Sequence, residues 1–393
     1  MIKKSWINRP AINRPRLTET FMRLVRIDSI SKEEGTISDE IIKILKDLGA
    51  ETTIDGAGDK IGGETGNIVA KLQGNLDVPA ILLSAHMDTV EPGRGVRPVF
   101  KDGLFRSDGT TILGADDKSA LAIILEVMDI IKERSLPCGP VELVITVCEE
   151  IGLLGAKNLD FSLLSAKFGY VLDSTETFGI VTRAPAVNRF DFIIHGKDAH
   201  AGASPEKGIN AIQLAGKAIS KIYTGRIDDE TTCNIGMIKG GVATNIVPNF
   251  VTVKGEVRSH NEKKLDDLTS EIVSCFKDVI EEYKNESGED ALPALEVLIE
   301  NDFSLLKIPD DHMMISLACN AAENLGKKML TKTTGGGSDA NIFFEKGLIT
   351  GVLGTGMSDV HTVRENILLD DMVDAADLLL EIIKLHSEAG AVG

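Results

Sequence analysis

Short apolar runs alternate with amphipathic stretches over the first part of the chain, and this alternation predicts strands and helices in turn. Helical periodicity extends from Leu17 to Leu48 with a break at SISKEEGTIS, and it returns over residues 118–134 and 154–159. The runs NIVAKLQG, AILLSAH, VELVITVCEE and YVLDS have the mostly apolar composition of buried strands. Strands that alternate with helices form parallel βαβ units, so residues 1–182 are expected to begin an α/β domain with a mostly parallel sheet.

The pattern changes after Thr182. RFDFIIHG, TTCNIGMIKGG, NFVTVKGEVRSH and ALEVLIENDF are predicted as four strands, with helices over GINAIQLAGKAISKI and residues 262–284. The order βαββαβ is that of a ferredoxin-like domain, so residues 183–300 are predicted to form an inserted domain. A helix over 311–325, a Gly-rich loop and another apolar run then resume the α/β pattern. Residues 301–393 are therefore expected to complete a discontinuous first domain.

Composition and charge narrow the class of protein. A formal charge of −18 and a pI near 4.9 disfavour binding to nucleic acid or anionic membranes, because phosphate groups attract clustered Lys and Arg. The five scattered cysteines form no CxxC pair and suggest neither a disulfide framework nor a zinc–thiolate site. The basic N-terminus lacks a following apolar segment, and no stretch reaches the roughly 18 apolar residues of a membrane span. A cytoplasmic location is expected.

Four apolar runs end in residues that ligate metals. The runs are VPAILLSAHMD, VELVITVCEE, FGYVLDS and ITGVLGTGMSDVH, and their terminal residues are His86, Asp88, Glu149, Glu150, Asp173 and His361. Asp116 in GADDK adds a carboxylate ahead of a helix. Acids often follow strands merely as solvated loop residues, but ligands also gather outside the carboxyl ends of strands in α/β sheets. The joint pattern, without a cysteine ligand, predicts a hydrolytic di-metal site.

Asp116 can bridge two cations, because a carboxylate carries two oxygens. Each metal would then receive one His, one terminal carboxylate and the shared Asp116, with the ions about 3.5 to 4 Å apart. Nitrogen and oxygen ligands suit zinc, manganese or cobalt. His86 and Asp88 point to one face of extended backbone, so Asp88 can accept the second ring N–H of His86. The alternative for Asp88 is a loop acid that caps a turn.

Glu149 and Glu150 are adjacent at a strand end, so their side chains diverge and can do different jobs. One can ligate metal while the other takes a proton from a metal-activated water and later delivers it to the leaving amine. In the inserted domain, His200 lies among small residues of HGKDAHAGASPEKG and could donate a hydrogen bond to an oxyanion. His195 ends an apolar strand, where a structural role is expected.

At these residues the chain resembles the di-zinc metallopeptidase family that includes peptidase T, carboxypeptidase G and succinyl-diaminopimelate desuccinylase. The motifs are SAHMDTV, LGADDKSA, CEEIGLLGA, HGKDAHAGASPEKGINA, GGVATNIVPNFVTVKGEVRS and GTGMSDVHT, spread over residues 15–390. The pattern is most similar to that of peptidase T-like enzymes. The resemblance implies two divalent metal ions in a discontinuous catalytic domain, with the inserted domain as a lid and as the contact surface of a homodimer.

The resemblance also implies a role for each site residue. The metal ligands would be His86, Asp116, Glu150, Asp173 and His361, with Asp116 bridging. Glu149 would be the general base, Asp88 the acid that orients a ligand, and His200 the oxyanion donor. The substrate contacts would be Asn245 and Arg258 as carboxylate anchors, with Gly335, Gly336, Gly337 and Ser338 in the substrate wall. A guanidinium matches a carboxylate bidentately, although a surface ion pair is the alternative for Arg258.

The implied reaction is hydrolysis of short peptides, with release of the N-terminal residue from tripeptides. The segment between Asp88 and Asp116 is shorter than in the longer peptidase T enzymes, where an extra stretch shapes the site for the amino end of the substrate. An amidohydrolase, deacylase or carboxypeptidase acting on N-acyl amino acids is the alternative on the same architecture. A non-catalytic scaffold would have lost a ligand or the Glu base, and all are present.

Overall fold

The computed structural model describes residues 10–288 and 291–390, which divide into two units by their contacts. The first unit comprises the described residues of Met1–Arg183, Lys307–Thr334 and Ser338–Gly393. The inserted unit comprises those of Ala184–Leu306 together with Gly335–Gly337. The domain limits expected from the sequence, at residues 183 and 300, stay a prediction.

The secondary structure elements are numbered in chain order. The strands are β1 (Glu51–Ile54), β2 (Ile68–Leu72), β3 (Ile81–His86), β4 (Val99–Lys101), β5 (Leu104–Arg106), β6 (Val141–Thr146), β7 (Phe168–Ser174), β8 (Gly179–Ala184), β9 (Ala186–His195), β10 (Gly225–Arg226), β11 (Thr231–Gly240), β12 (Phe250–Ser259), β13 (Ala294–Phe303), β14 (Leu306–Lys307), β15 (Leu330–Thr333), β16 (Ile349–Gly354) and β17 (Asn366–Leu368). The helices are α1 (Arg14–Leu24), α2 (Gly35–Leu48), α3 (Ala57–Ile61), α4 (Ala115–Arg134), α5 (Leu154–Lys157), α6 (Ala211–Ile219), α7 (Glu262–Ser287), α8 (Met313–Asn324), α9 (Asp339–Glu345) and α10 (Leu369–Gly390).

A mixed nine-stranded sheet forms the centre of the first unit, in the order β1-β2-β6-β3-β7-β16-β8-β14 with β15 paired to β8. The neighbours β3/β6, β3/β7 and β7/β16 are parallel, whereas β1/β2, β2/β6 and β8/β16 are antiparallel. The strands β3 and β6 are buried at every position, which explains their mostly apolar sequences. The predicted α/β fold is confirmed.

Helix α4 connects the sheet to the helical layer of the first unit. It packs against β3 and β7, while α1, α2 and α10 pack against α4. Its residues from Ala115 to Met128 are all buried, so this part of the helix is enclosed on every side. The N-terminus of α4, which carries Asp116, is therefore fixed from several sides.

The inserted unit is a five-stranded antiparallel sheet in the order β10-β11-β12-β9-β13. Helices α6 and α7 pack against β9 and β12. Alternate side chains of β9 point into this core, where the rings of Phe192 and Phe276 stack with centroids 4.0 Å apart. The predicted ferredoxin-like order is confirmed, with the two-residue strand β10 added at one edge.

Three further features bear on the sequence predictions. The cysteines at positions 138, 148, 233, 275 and 319 are free thiols. Within residues 10–288 and 291–390, no helix has the length and apolar character needed to cross a membrane. Helix α2 ends where predicted, because Gly49 adopts a left-handed conformation and its N–H donates to carbonyls of the last turn.

Candidate metal centre and active site

The residues expected to ligate metals come together at one edge of the sheet of the first unit. His86 is the last residue of β3, Asp173 is the penultimate residue of β7, and Asp116 lies at the start of α4. Glu150 and His361 lie in the loops that follow β6 and β16. The four strands β6, β3, β7 and β16 are adjacent and parallel, so their carboxyl ends lie on the same side of the sheet, where the strands end.

Asp116 lies between the two histidines. Its Oδ1 is 3.0 Å from Nε2 of His86, and its Oδ2 is 3.2 Å from Nε2 of His361. The same ring nitrogen of His361 is 3.0 Å from the carboxylate of Glu150. Ligand atoms of His86, Asp116 and Glu150 lie within 4.8 Å of one another. One oxygen of the Asp116 carboxylate therefore faces His86, and the other faces His361, which also contacts Glu150.

A second group of oxygen donors adjoins the first. Ligand atoms of Asp116, Asp117 and Asp173 also lie within 4.8 Å of one another. Asp117 is fully buried, and its Oδ2 accepts the backbone N–H of His86 at 3.2 Å. Its Oδ1 has no hydrogen-bond partner among the described residues. Asp117 thus contacts β3, the strand that ends in the proposed ligand His86.

The electrostatics of the cluster fit divalent cations. Burial raises the pKa of the Glu149, Glu150 and Asp173 carboxyls above their usual range, an effect that the positive charge of a bound cation would oppose. Hydrogen bonds that the ring of His361 donates to the carboxylates of Asp116 and Glu150 raise the pKa of His361 to about 10. Bound cations would stabilise the ionised acids and neutral imidazoles that coordination requires. The donor set, without thiolate, suits zinc, manganese or cobalt.

Asp88 is a buried carboxylate that orients the proposed ligand His86 and the turn that carries Glu149 and Glu150. We call this turn the acidic turn. The backbone N–H groups of Glu149 and Glu150 donate to its Oδ1 and Oδ2, at 2.9 and 3.2 Å. The hydroxyl of Ser31 donates to Oδ2 at 2.6 Å. Nδ1 of His86 lies 3.0 Å from the main-chain carbonyl oxygen of Asp88 and 3.5 Å from its carboxylate. The shorter contact to the carbonyl fixes the proton on Nδ1 and leaves Nε2 facing Asp116.

Two further side chains hold the same turn, and neither was predicted. The backbone N–H of Val147 donates to Oδ1 of Asn67 at 3.1 Å, and that of Cys148 donates to Oε1 of Glu34 at 3.0 Å. Cys148 has a φ of 51°, in the left-handed region that few residues other than Gly adopt. With Asp88, three side chains thus accept four successive N–H groups, from residue 147 to residue 150.

The Gly-rich loop is divided between the two units. Gly335–Gly337 belong to the inserted unit, and a Cβ on Gly337 would lie 2.3 Å from the ring of Phe303. Ser338 belongs to the first unit, where its side chain and that of Asn341 cap α9 reciprocally. The neighbouring Asp339 is buried, and burial raises its pKa to about 6. The predicted role of this loop as a substrate wall stays a prediction.

His200 is exposed in the inserted unit, in a loop that adjoins Asn245. The N–H of Gly202 donates to Nδ1 of His200 at 3.1 Å, and the N–H of Ala201 donates to the carbonyl of Asn245 at 3.0 Å. An Nδ1 that accepts a hydrogen bond is unprotonated, so the proton of the neutral ring lies on Nε2. The exposed Nε2–H is therefore a free donor, as an oxyanion contact would require. His195, by contrast, lies 2.7 Å from the carboxylate of Glu296 on β13.

Arg258 carries an ion pair in the structure. Its Nε and one terminal nitrogen lie 2.7 and 3.1 Å from the two carboxylate oxygens of Glu256, and its other terminal nitrogen donates to the carbonyl of Gly335 at 3.1 Å. Both charged side chains are about 30% exposed. Glu256 thus already occupies the guanidinium edge that was predicted to bind a substrate carboxylate.

The structure does not bring Arg258 close to His200 and Asn245 within one copy of the inserted unit. In the pairing of β12 with β9, Phe250 lies opposite His195 and Arg258 lies opposite Val187. The eight residue steps along β12 span roughly 27 Å at about 3.4 Å per residue. The loop of His200 and Asn245 lies beyond the Phe250 end, because Val247 and Gly196 pair there with Ala199 and Asn249.

Known proteins resemble both units of the chain. The family described as the M20 peptidase dimerisation domain matches residues 187–284, and the peptidase family M28 matches residues 67–178. The protein YqjE of Bacillus subtilis is 40% identical over 374 residues, which cover 95% of this chain and 99% of that protein.

Two solved structures are similar over nearly their full length. The aminopeptidase PepT from Bacillus cereus is 40% identical with a TM-score of 0.86, over 95% of this chain and 99% of its own. A tripeptidase from Staphylococcus aureus is 38% identical with a TM-score of 0.90, over 96% of this chain and 100% of its own. The chain therefore belongs to the M20 metallopeptidases, within their peptidase T-like group.

Proposed function

We propose that this chain is a tripeptide aminopeptidase that uses two divalent metal ions, preferably zinc. The observation that carries the proposal is the position of Asp116, whose two oxygens face His86 and His361 beside the buried acid Glu149. The resemblance to proteins described as an aminopeptidase and a tripeptidase, at 40% and 38% identity, supports the same reaction. The cytoplasmic location predicted from the cysteine content stays a prediction.

The proposed ligands are His86, Asp116, Glu150, Asp173 and His361. When bound, the ions would polarise the scissile carbonyl and lower the pKa of water. Glu149 has no hydrogen bond to its carboxylate from the described residues, and burial raises its pKa, so the carboxylate is available to accept a proton and release it again. We therefore assign to Glu149 the transfer of a proton from the attacking water to the leaving amine.

A homodimer through the inserted unit follows from the geometry of that unit. A tripeptide spans about 10 Å, whereas β12 alone spans roughly 27 Å from Phe250 to Arg258, and the loop of His200 lies beyond the Phe250 end. If both residues contact substrate, they must come from different copies. We therefore propose that Arg258 of one copy binds the substrate carboxylate, while His200 and Asn245 act on substrate bound by the other copy.

The edge strand β11 is the proposed contact surface. The pairing with β10 covers only Cys233 and Thr232, so the rest of β11 lies at the edge of the described sheet. Met237, Ile238 and Val242 are 62%, 55% and 84% exposed along or just after this edge. An apolar strand edge of this kind pairs readily with a second copy about a twofold axis. Light scattering at micromolar concentration should give a dimer, and a strictly monomeric species would contradict the proposal.

The test of activity is mass-spectrometric product analysis with zinc- or cobalt-loaded protein and a panel of tripeptides, each free and N-acetylated. We expect release of the first residue from free tripeptides only. Cleavage of the acetylated series would instead support the deacylase or carboxypeptidase alternative. Glu149→Gln should abolish turnover while two metal ions remain bound, and substantial residual turnover would refute its role. The matched control is Glu142→Gln, which changes a buried acid at the start of β6, the strand that precedes Glu149, and it should retain activity.

A further inference from the structure

Glu365 is a buried acid, four residues after His361, that binds the backbone of the loop carrying Asp116. The side chain is fully enclosed, with 1% of the residue exposed. The N–H groups of Leu113 and Gly114 donate to its Oε2 at 2.8 and 2.7 Å, and the N–H of Asp116 donates to its Oε1 at 2.9 Å. One carboxylate therefore accepts three N–H groups from residues about 250 positions away in the sequence.

The backbone of this loop is shaped so that its N–H groups converge. Gly114 has a φ of 78°, and Asp116 has a φ of −80° with a ψ of 103°, so neither residue is helical although α4 begins here. Without a common acceptor, three buried N–H groups would lack partners, since no helical carbonyl precedes them. An ionised carboxylate is the side chain that can accept all of them at once.

The same acid lies at the base of the loop that carries His361. The N–H of Ser358 donates to the carbonyl of Asn366 at 2.9 Å, and the N–H of Asn366 donates back to Ser358 at 3.0 Å. Residues 358–366 thus form a closed loop, with Glu365 next to its closing pair. Through Glu365, this loop is joined to the backbone of Asp116.

We propose that Glu365 is a positioning residue for the metal centre. It fixes the backbone of Asp116 so that one carboxylate oxygen faces His86 and the other faces His361, and it keeps the His361 loop in register with Asp116. The inference rests on the proposed role of Asp116 as the bridging ligand. Glu365 contacts neither metal nor substrate, and it acts only through the position of residues that do.

The test compares Glu365→Gln with a matched variant, Glu142→Gln. Glu142 is also buried and also accepts backbone N–H groups, from Ser165 and Ala166 at 2.9 Å each, but at the opposite end of β6 from the acidic turn. In either glutamine variant, an amide NH₂ must face at least one backbone N–H, so both should lose stability. Only Glu365→Gln should change the metal centre.

The readouts are zinc affinity, from competition with a chromophoric chelator, and the visible absorption spectrum of the cobalt-loaded protein. We expect Glu365→Gln to lower the affinity for at least one zinc ion by about 10- to 100-fold, which is the usual effect of removing a residue that holds a metal ligand in place. We also expect it to alter the absorption bands of the cobalt-loaded protein. Glu142→Gln should leave both unchanged. Wild-type affinity and an unaltered spectrum in folded Glu365→Gln would overturn the inference.

Asp116→Asn separates this inference from the proposed function. If Asp116→Asn lowers zinc affinity and Glu365→Gln does not, only the positioning role is refuted. If Asp116→Asn has wild-type zinc affinity, the bridging role of Asp116 is refuted, and the positioning role of Glu365 is refuted as well.

A measurement on the wild-type chain covers the case in which Glu365→Gln fails to fold. Hydrogen exchange at the amides of Leu113, Gly114 and Asp116 is followed in chelator-treated protein and in zinc-loaded protein. We expect slow exchange in both, because Glu365 rather than the metal secures these N–H groups. Fast exchange that becomes slow only with zinc would mean that the metal organises the loop, and would overturn the inference.

Discussion

Asp88→Asn tests whether the buried carboxylate behind the acidic turn supports catalysis. In the wild type, Oδ1 accepts the N–H of Glu149, while Oδ2 accepts the N–H of Glu150 and the hydroxyl of Ser31. An amide keeps the shape of the side chain but replaces one oxygen by an NH₂ group. In either orientation this NH₂ faces a backbone N–H, so one buried donor loses its partner. The hydroxyl of Ser31 can rotate to accept from the amide, and it adds no obligatory loss.

The expected loss of stability and activity in Asp88→Asn follows from the one backbone N–H that is left without a partner. Leaving one buried N–H without a partner costs about 1 to 3 kcal/mol, and the remaining bonds lose the strengthening that the negative charge provides. We expect the free energy of unfolding of the chelator-treated protein to fall by roughly 2 to 3 kcal/mol. Displacement of Glu149 and Glu150 should lower kcat/KM on a free tripeptide by about 10- to 100-fold, equivalent to roughly 1.4 to 2.7 kcal/mol in the barrier.

The assay measures kcat/KM at saturating zinc and, separately, urea unfolding in chelator. Ser31→Ala is the control, because it removes one hydrogen bond from Asp88 and leaves both backbone N–H contacts in place. It should lower kcat/KM by much less than Asp88→Asn. An Asp88→Asn enzyme that loses stability but keeps kcat/KM within about twofold of wild type would refute the reasoning, since the turn would then need no exact support from Asp88.

Three further outcomes are expected. Arg16→Met should lower the free energy of unfolding by about 3 kcal/mol in urea titrations, because Arg16 binds both oxygens of the buried Glu126, at 2.6 and 3.1 Å, and its loss leaves a buried charge unpaired. Adding Glu126→Leu should recover much of that loss. Arg258→Met should raise KM by about tenfold or more for tripeptides with a free carboxyl terminus, and not for the corresponding tripeptide amides. Glu256→Gln should lower KM for the tripeptides with a free carboxyl terminus, because it releases the guanidinium of Arg258. Chelation of the metals should lower the melting temperature by scanning calorimetry, because ions present at about 100 times their Kd stabilise the fold by about 2.7 kcal/mol per site.

The strand ends of the metal centre could be predicted from the sequence because their signal is local. His86 and Asp173 lie at the ends of buried strands, and each such strand is a run of apolar residues that stands out without knowledge of its neighbours. The short strands β1, β4 and β5 have no such signal, since they are only three or four residues long, β1 and β4 are mainly exposed, and β5 buries only Phe105. Their positions depend on pairing with other strands, which the local pattern does not contain.

The residues that hold the ligand loops could not be predicted, because their partners are distant in the sequence. The contact of Glu34 with Cys148 spans 114 residues, that of Asn67 with Val147 spans 80, and the contacts of Glu365 span about 250. In the sequence, Glu34 lies in a polar stretch that predicts a turn, and nothing distinguishes it from a solvated acid. Only the tertiary structure shows that these side chains face backbone N–H groups.

The buried acids of the first unit divide into two classes by what their oxygens face. Oxygens of Glu34, Asp88 and Glu365 accept backbone N–H groups, which favour the ionised carboxylate, although burial also raises the pKa of Glu34 and Glu365. Glu149 and Asp173 receive no hydrogen bond at their carboxylates from the described residues, and burial raises the pKa of both. The first class therefore fixes the backbone of the ligand loops, whereas the carboxylates of the second remain available for a cation or a proton. This difference in hydrogen bonding separates the acids that hold the backbone of the site from those that are available for coordination and proton transfer. Both classes look alike in the sequence.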